Sequence, residues 1–178
     1  WIVKLTSALT IEWQKSFGGS ESDGAQSIQQ TTDGGYIFTG YSQSNDGDVS
    51  GNHGDTDFWV VKLTSAGTIS WQKSLGGSGS DYGYSIQQTA DGGYIVTGNS
   101  FSNDGDVSEN HGSADYWVVK LTSTGNLDWQ KSLGGSSVET AKSVQQTADG
   151  GYIIAGYSRS YNGDLSENKG DYDYWIVK

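Results

Sequence analysis

The residues most suggestive of chemistry sit in an oxygen-rich loop that occurs three times. The first copy reads Ser44-Asn45-Asp46-Gly47-Asp48-Val49-Ser50-Gly51-Asn52-His53-Gly54-Asp55-Thr56-Asp57, and its counterparts run from Ser102 to Asp115 and from Ser160 to Asp173. Oxygen-bearing side chains fall on every second position. They are Asp46, Asp48, Ser50 and Asn52, then Asp104, Asp106, Ser108 and Asn110, then Asn162, Asp164, Ser166 and Asn168. A hard cation such as Ca²⁺ takes about six to eight oxygens, and a compact loop supplies them by alternating side chains with backbone carbonyls. Asp57, Asp115 and Asp173 end the loops and are placed to close such a site, so these residues are the expected Ca²⁺ ligands.

The pattern departs from an EF-hand, because glycine separates the first two acids and no glutamate takes the closing position. A second explanation stands beside the metal. Asn, Asp, Gly and Ser are turn formers whose side chains bond local backbone amides. Asn162 replaces an acid in the third copy, and Lys169 stands where His53 and His111 do, so a repeated histidine site is not expected.

Other recurring groups offer less. Asp33, Asp91 and Asp149 lie in T-[TA]-D-G-G, where turn chemistry accounts for them. Gly18-Gly19, Gly76-Gly77 and Gly134-Gly135 precede no helical pattern, so a phosphate-cradling loop lacks its context. Asp23, Asp81 and Glu139 recur after those glycines, as surface carboxylates or as caps on the next strand. An enzyme usually needs a unique constellation, whereas here every notable residue recurs, so no catalytic activity or cofactor-binding site is expected. Aromatic residues make up 12% of the chain, and grooves lined by rings and polar groups would suit sugars. The tryptophans fall on the packed side of their alternation and are expected in the core, leaving Tyr41, Tyr82, Phe101, Tyr157 and Tyr161 as freer candidates.

The elements that carry these loops follow a strict period. Trp1, Trp59, Trp117 and Trp175 each open W-[IV]-V-K, which defines 58-residue repeats over 1–58, 59–116 and 117–174, with 175–178 starting a fourth. The first residues enter in mid-unit, so the functional object is expected to be larger than this chain. In the second repeat, Asp57 to Leu63 is apolar on both faces, the mark of a strand covered above and below. Thr68 to Leu75 alternates as an edge strand does, Tyr84 to Thr89 resumes alternation, and Asp91-Gly92-Gly93 turns the chain into Tyr94 to Gly98. No helical period occurs. The expected fold is all-β, with four-stranded antiparallel sheets repeated as β-propeller blades. A β-helix coil would be shorter, and a sandwich would not impose so strict a period. Three blades are fewer than the about four to eight of closed propellers, so apolar sheet faces should be left for self-association or for flanking repeats.

Composition narrows the partners. A net charge of −11 with scattered basic residues argues against nucleic acid. No apolar stretch approaches the about 20 residues of a membrane span. The chain contains no cysteine, methionine or proline, which excludes disulfides and thiolate metal sites.

The run Trp59-Val60-Val61-Lys62-Leu63, then Trp71-Gln72-Lys73-Ser74-Leu75-Gly76-Gly77, then Ser85-Ile86-Gln87-Gln88-Thr89 and Asp91-Gly92-Gly93-Tyr94-Ile95-Val96 resembles propeller-like repeats of large secreted and surface proteins of bacteria, notably of the Bacteroidetes type, and of archaea. Its order is also distantly similar to kelch blades, which lack the long acidic loop. The resemblance covers all three copies and implies an extracellular or cell-surface location. A non-enzymatic structural or adhesive module, stabilised by Ca²⁺ and self-associating through blade faces, is the expected function; the alternative is a lectin-like propeller that binds glycans.

Overall fold

The computed structural model describes residues Trp1–Lys178. It contains thirteen β-strands and no helix. They are β1 (Ile2–Leu5), β2 (Ile11–Lys15), β3 (Asp23–Gln30), β4 (Tyr36–Ser42), β5 (Asp57–Leu63), β6 (Ile69–Leu75), β7 (Asp81–Gln88), β8 (Tyr94–Ser100), β9 (Asp115–Leu121), β10 (Leu127–Leu133), β11 (Glu139–Gln146), β12 (Tyr152–Ser158) and β13 (Asp173–Val177). Each sheet is a simple antiparallel meander. The sheets are β1-β2, β3-β4-β5-β6, β7-β8-β9-β10 and β11-β12-β13. Each four-stranded sheet therefore opens on the strand after the Gly-Gly segment and ends on the W-Q-K-S strand.

Two strands reach beyond their sequence-expected bounds. The strand expected from Tyr84 begins at Asp81, with a register shift between Gly83 and Ser85, and the strand expected to end at Gly98 continues to Ser100. The bulge absorbs an extra residue, which hid the alternation N-terminal to it. The hairpin between β7 and β8 turns at Gly92, whose φ of 82° suits glycine, as do the φ values of 80° and 86° at Gly34 and Gly150.

The core is a series of layers between successive sheets. Phe58 and Val60 leave β5 on one face and pack with Ile86, Val96 and Trp117 of the next sheet, while Trp59, Val61 and Leu63 leave the other face toward Ile2 and Trp13. This is why β5 and β9 are fully buried and carry apolar residues on both faces, Asp57, Lys62, Asp115 and Lys120 being their only polar residues. Each such side chain contributes roughly 1.5–3 kcal/mol by leaving water. Aromatic pairs mark the layers: Phe58 meets Trp117 at 4.7 Å between ring centroids, and Tyr116 meets Trp175 at 4.6 Å.

A second set of contacts joins the first strands of successive sheets. β7 packs against β3, and β11 against β7. The Gln29 side-chain oxygen accepts the Gln88 backbone N–H at 2.7 Å, and the Gln87 oxygen accepts the Gln146 N–H at the same distance. Ser27 and Ser85 hydroxyls accept the N–H groups of Ile86 and Val144. Gln88 and Gln146 reach back to the N–H groups of Thr32 and Ala90. Edge N–H groups of β7 and β11 are thus satisfied by side chains of the preceding first strand, which manages an edge that would otherwise invite strand pairing.

Candidate functional site

The acidic loops fold over the Gly-Gly segments that join one sheet to the next. Asp46 accepts the Ser20 N–H at 2.8 Å, Asp104 the Ser78 N–H at 2.7 Å, and Asn162 the Ser136 N–H at 2.9 Å. An amide oxygen serves as well as a carboxylate in that role, which accounts for Asn162. Asp48, Asp106 and Asp164 accept N–H groups of Gly18, Gly76 and Gly134. Asn52 donates to the carbonyls of Ser42 and Ser44 and accepts from Gly54 N–H; Asn110 and Asn168 repeat its place. Ser50 accepts from Gln72 at 2.6 Å, and Ser108 pairs with Gln130; no bond is made by Ser166. Each of these side chains except Ser166 holds a backbone or side-chain group at its own position. No three Asp, Glu or His side chains converge on one point, in the loops or elsewhere in the chain.

The loop-closing acids are placed differently. Asp57 and Asp115 are fully buried, at the start of the buried strands. Asp57 Oδ2 accepts the His53 backbone N–H at 3.0 Å and lies 2.7 Å from His53 Nδ1; Asp115 and His111 repeat this at 2.9 and 2.5 Å. Asp173 accepts the Lys169 N–H. Burial raises the Asp57 and Asp115 carboxyls above the usual carboxylate range, with the nearby Asp81 and Glu139 charges adding and the histidine bonds opposing. The hydrogen bond to Asp115 in turn raises the His111 imidazole.

Asp57 and Asp115 do not stand alone. Asp81, expected at the surface or as a strand cap, is fully buried at the start of β7, and Glu139 is fully buried at the start of β11. Asp57 belongs to one sheet and Asp81 to the next, joined where the Asp81 N–H donates to Thr56 O at 2.6 Å; Glu139 N–H donates to Ala114 O at 2.7 Å. Asp81 Oδ2 accepts from Gly77 N–H and the Ser102 hydroxyl, and Glu139 accepts from Gly135 N–H and the Ser158 hydroxyl. Asp57 Oδ1, Asp81 Oδ1 and Asp115 Oδ1 are buried with no hydrogen-bond partner.

Glycine makes the approach possible. A Cβ on Gly76 would lie 2.5 Å from Asp81 Oδ2 and 2.8 Å from Asp57 Oδ1, and one on Gly134 would lie 2.5 Å from Asp115 Oδ1 and 2.6 Å from Glu139 Oε2. Two carboxylates therefore face one small space at each junction between four-stranded and following sheets. The signal was present in the sequence as a recurring acid after Gly-Gly, 24 residues beyond the loop-closing Asp in each case.

The D-G-G acids serve the turns. Asp33 Oδ1 accepts from the Thr31 hydroxyl and Gly35 N–H, and Lys62 reaches from β5 to within 2.8 Å of Asp33 Oδ2. Lys120 and Lys178 clip Asp91 and Asp149 in the same way. The freer aromatic residues sit near the first strands: Tyr41 meets Tyr82 edge-on at 5.7 Å, and Lys142 lies 3.3 Å above the Tyr84 ring and 5.7 Å from that of Tyr157. Phe101 and Tyr161 are exposed.

No protein-family model and no curated protein matches this chain.

Proposed function

We propose that the chain is a non-catalytic structural module whose sheets are propeller-type blades, and that its two end faces stack onto further copies of the same repeat. One observation carries this reading. Surfaces that are buried between sheets in the interior are open to water at both ends. Ile28 of β3 is 50% exposed, whereas its equivalents Ile86 and Val144 are 5% and 6% exposed. Tyr174 of β13 is 95% exposed, whereas Phe58 and Tyr116, its equivalents, are at 0%. Trp1, Val3 and Ile176 join these two faces. Apolar patches of this kind mark association sites, and here the matching surface already exists on the opposite end of the chain.

The side-by-side first strands and the aromatic layers between sheets support blades, as does the resemblance to propeller-like repeats. That resemblance also supports a secreted or surface-bound location and an adhesive role. Mass in solution tests the association. Sedimentation at micromolar concentration is expected to give multiples of the 19.0 kDa chain, and a monomer that persists as concentration rises rejects the stacking role.

A glycan-binding reading has its own observation, the partly exposed row of Tyr41, Tyr82, Tyr84 and Tyr157 with Lys142 among them. Sugar faces stack on such rings. Binding on a glycan array that is lost in Tyr82→Ala would favour it, and an array blank across sugar classes removes it.

A further inference from the structure

We propose that each junction between successive sheets is a binding site for Ca²⁺, held by Asp57 with Asp81 at the first junction and by Asp115 with Glu139 at the second. The site differs from the alternating loop residues, which, Ser166 apart, already accept bonds from N–H and N–H₂ donors. It shares with them only Asp57 and Asp115.

The argument begins with the buried oxygens. Asp57, Asp81 and Asp115 each accept bonds from backbone N–H, hydroxyl or imidazole groups on Oδ2 alone, whereas Glu139 accepts on both oxygens, from Gly135 N–H and the Ser158 hydroxyl. The Asp57, Asp81 and Asp115 oxygens left over are fully buried and have no donor. Two like charges in a site that excludes water repel strongly, and buried charge is retained where it is paired or coordinates a metal. The pair at each junction faces a common space that a glycine at position 76 or 134 keeps open: the unpartnered Asp57 Oδ1 lies there beside Asp81 Oδ2, and the unpartnered Asp115 Oδ1 beside Glu139 Oε2.

The chemistry of the donors selects the ion. The groups nearest the space are carboxylate oxygens, and the chain has no sulfur, which favours hard cations. Mg²⁺ requires near-ideal octahedral geometry and keeps its waters, while Ca²⁺ accepts irregular sets completed by backbone carbonyls and water. The arrangement also occurs twice, and the Asp-to-Glu change between copies retains the carboxylate. Because the two acids of a pair belong to different sheets, the ion would fasten one sheet to the next. This goes beyond the stacking proposal, which concerns the ends of the chain; association can fail while the interior junctions bind, and the reverse.

Calorimetric titration of chelator-treated chain with CaCl₂ is expected to give two ions per chain, one for each complete pair, and saturation is expected to raise the melting temperature by on the order of 5 °C. The double variant Asp81→Asn with Glu139→Gln is expected to lose both the binding heat and the Ca²⁺-dependent rise. Without the ion it is expected to melt at or above the unsubstituted chain, since one charge of each repelling pair is gone. The loop variant Asp46→Asn with Asp104→Asn is expected to keep both ions. Gly76→Ala with Gly134→Ala fills the shared space by another route and is expected to lose both ions, which covers the case of a carboxylate variant that does not fold. The proposal is overturned by an intact chain with no Ca²⁺ heat or melting shift, by Ca²⁺ binding that survives in the folded junction variants, or by binding lost in the loop variant alone.

Discussion

The D-G-G turn shows how a single recurring side chain can look chemical and serve structure. Hydrogen bonding by Lys62, then Thr31 and Gly35, lowers the Asp33 carboxyl below the usual range; Thr89 and Lys120 do so for Asp91, and Lys178 and Thr147 hold Asp149 at about 2. A carboxyl depressed in the folded state contributes stability that is present above its unfolded pKa and is lost as pH falls through the folded one. Thermal melts taken from about pH 5 to about pH 2 should therefore show falling stability. Asp91→Asn should flatten that fall, at a cost of about 1 kcal/mol or less near pH 7 because the carboxylate is in water. An unchanged acid slope in the variant would mean that other carboxylates dominate.

Strands and turns were legible from the sequence because each has a local cause. Alternation gave the exposed faces of β6, and apolar residues on both faces gave the burial of β5 and β9. The junction acids were less legible. Asp81 and Glu139 look like solvated loop residues until neighbouring sheets are assembled, since their burial comes from a different sheet and not from their own strand. The loop oxygens posed the converse difficulty: alternation is common to coordination and to capping, and only the positions of the Gly-Gly amides show which groups they meet. The side-chain ladder between first strands belongs to this scale. Gln87→Ala should leave the Gln146 N–H without its acceptor, cost about 1 kcal/mol and lower the melting temperature by roughly 2–4 °C. Gln145→Ala, at the equivalent but exposed position of β11, should cost almost nothing in the same calorimetric scan. Equal losses in the two variants would show that the ladder adds no stability.

At the scale of the molecule, stability is expected to be carried by interfaces between sheets and not by one central core, since the buried clusters span successive sheets. The same logic makes the stacking proposal testable by substitution. Ile28→Glu and Tyr174→Glu each place a charge on an exposed end face, so sedimentation should show dissociation while the monomer's melting temperature stays within about 2 °C of the unsubstituted chain. A large loss of stability in either would place that residue in the monomer's own packing. The bonds from Ser27 to Ile86 and from Ser85 to Val144 each span 59 residues, as do those from Gln29 to Gln88 and from Gln87 to Gln146. A gene segment encoding one whole repeat could therefore be duplicated or deleted in tandem and still present the correct acceptors to its neighbours, whereas an insertion within the segment would break the register on both sides. Unequal recombination could in this way change the length of the array without redesigning any interface.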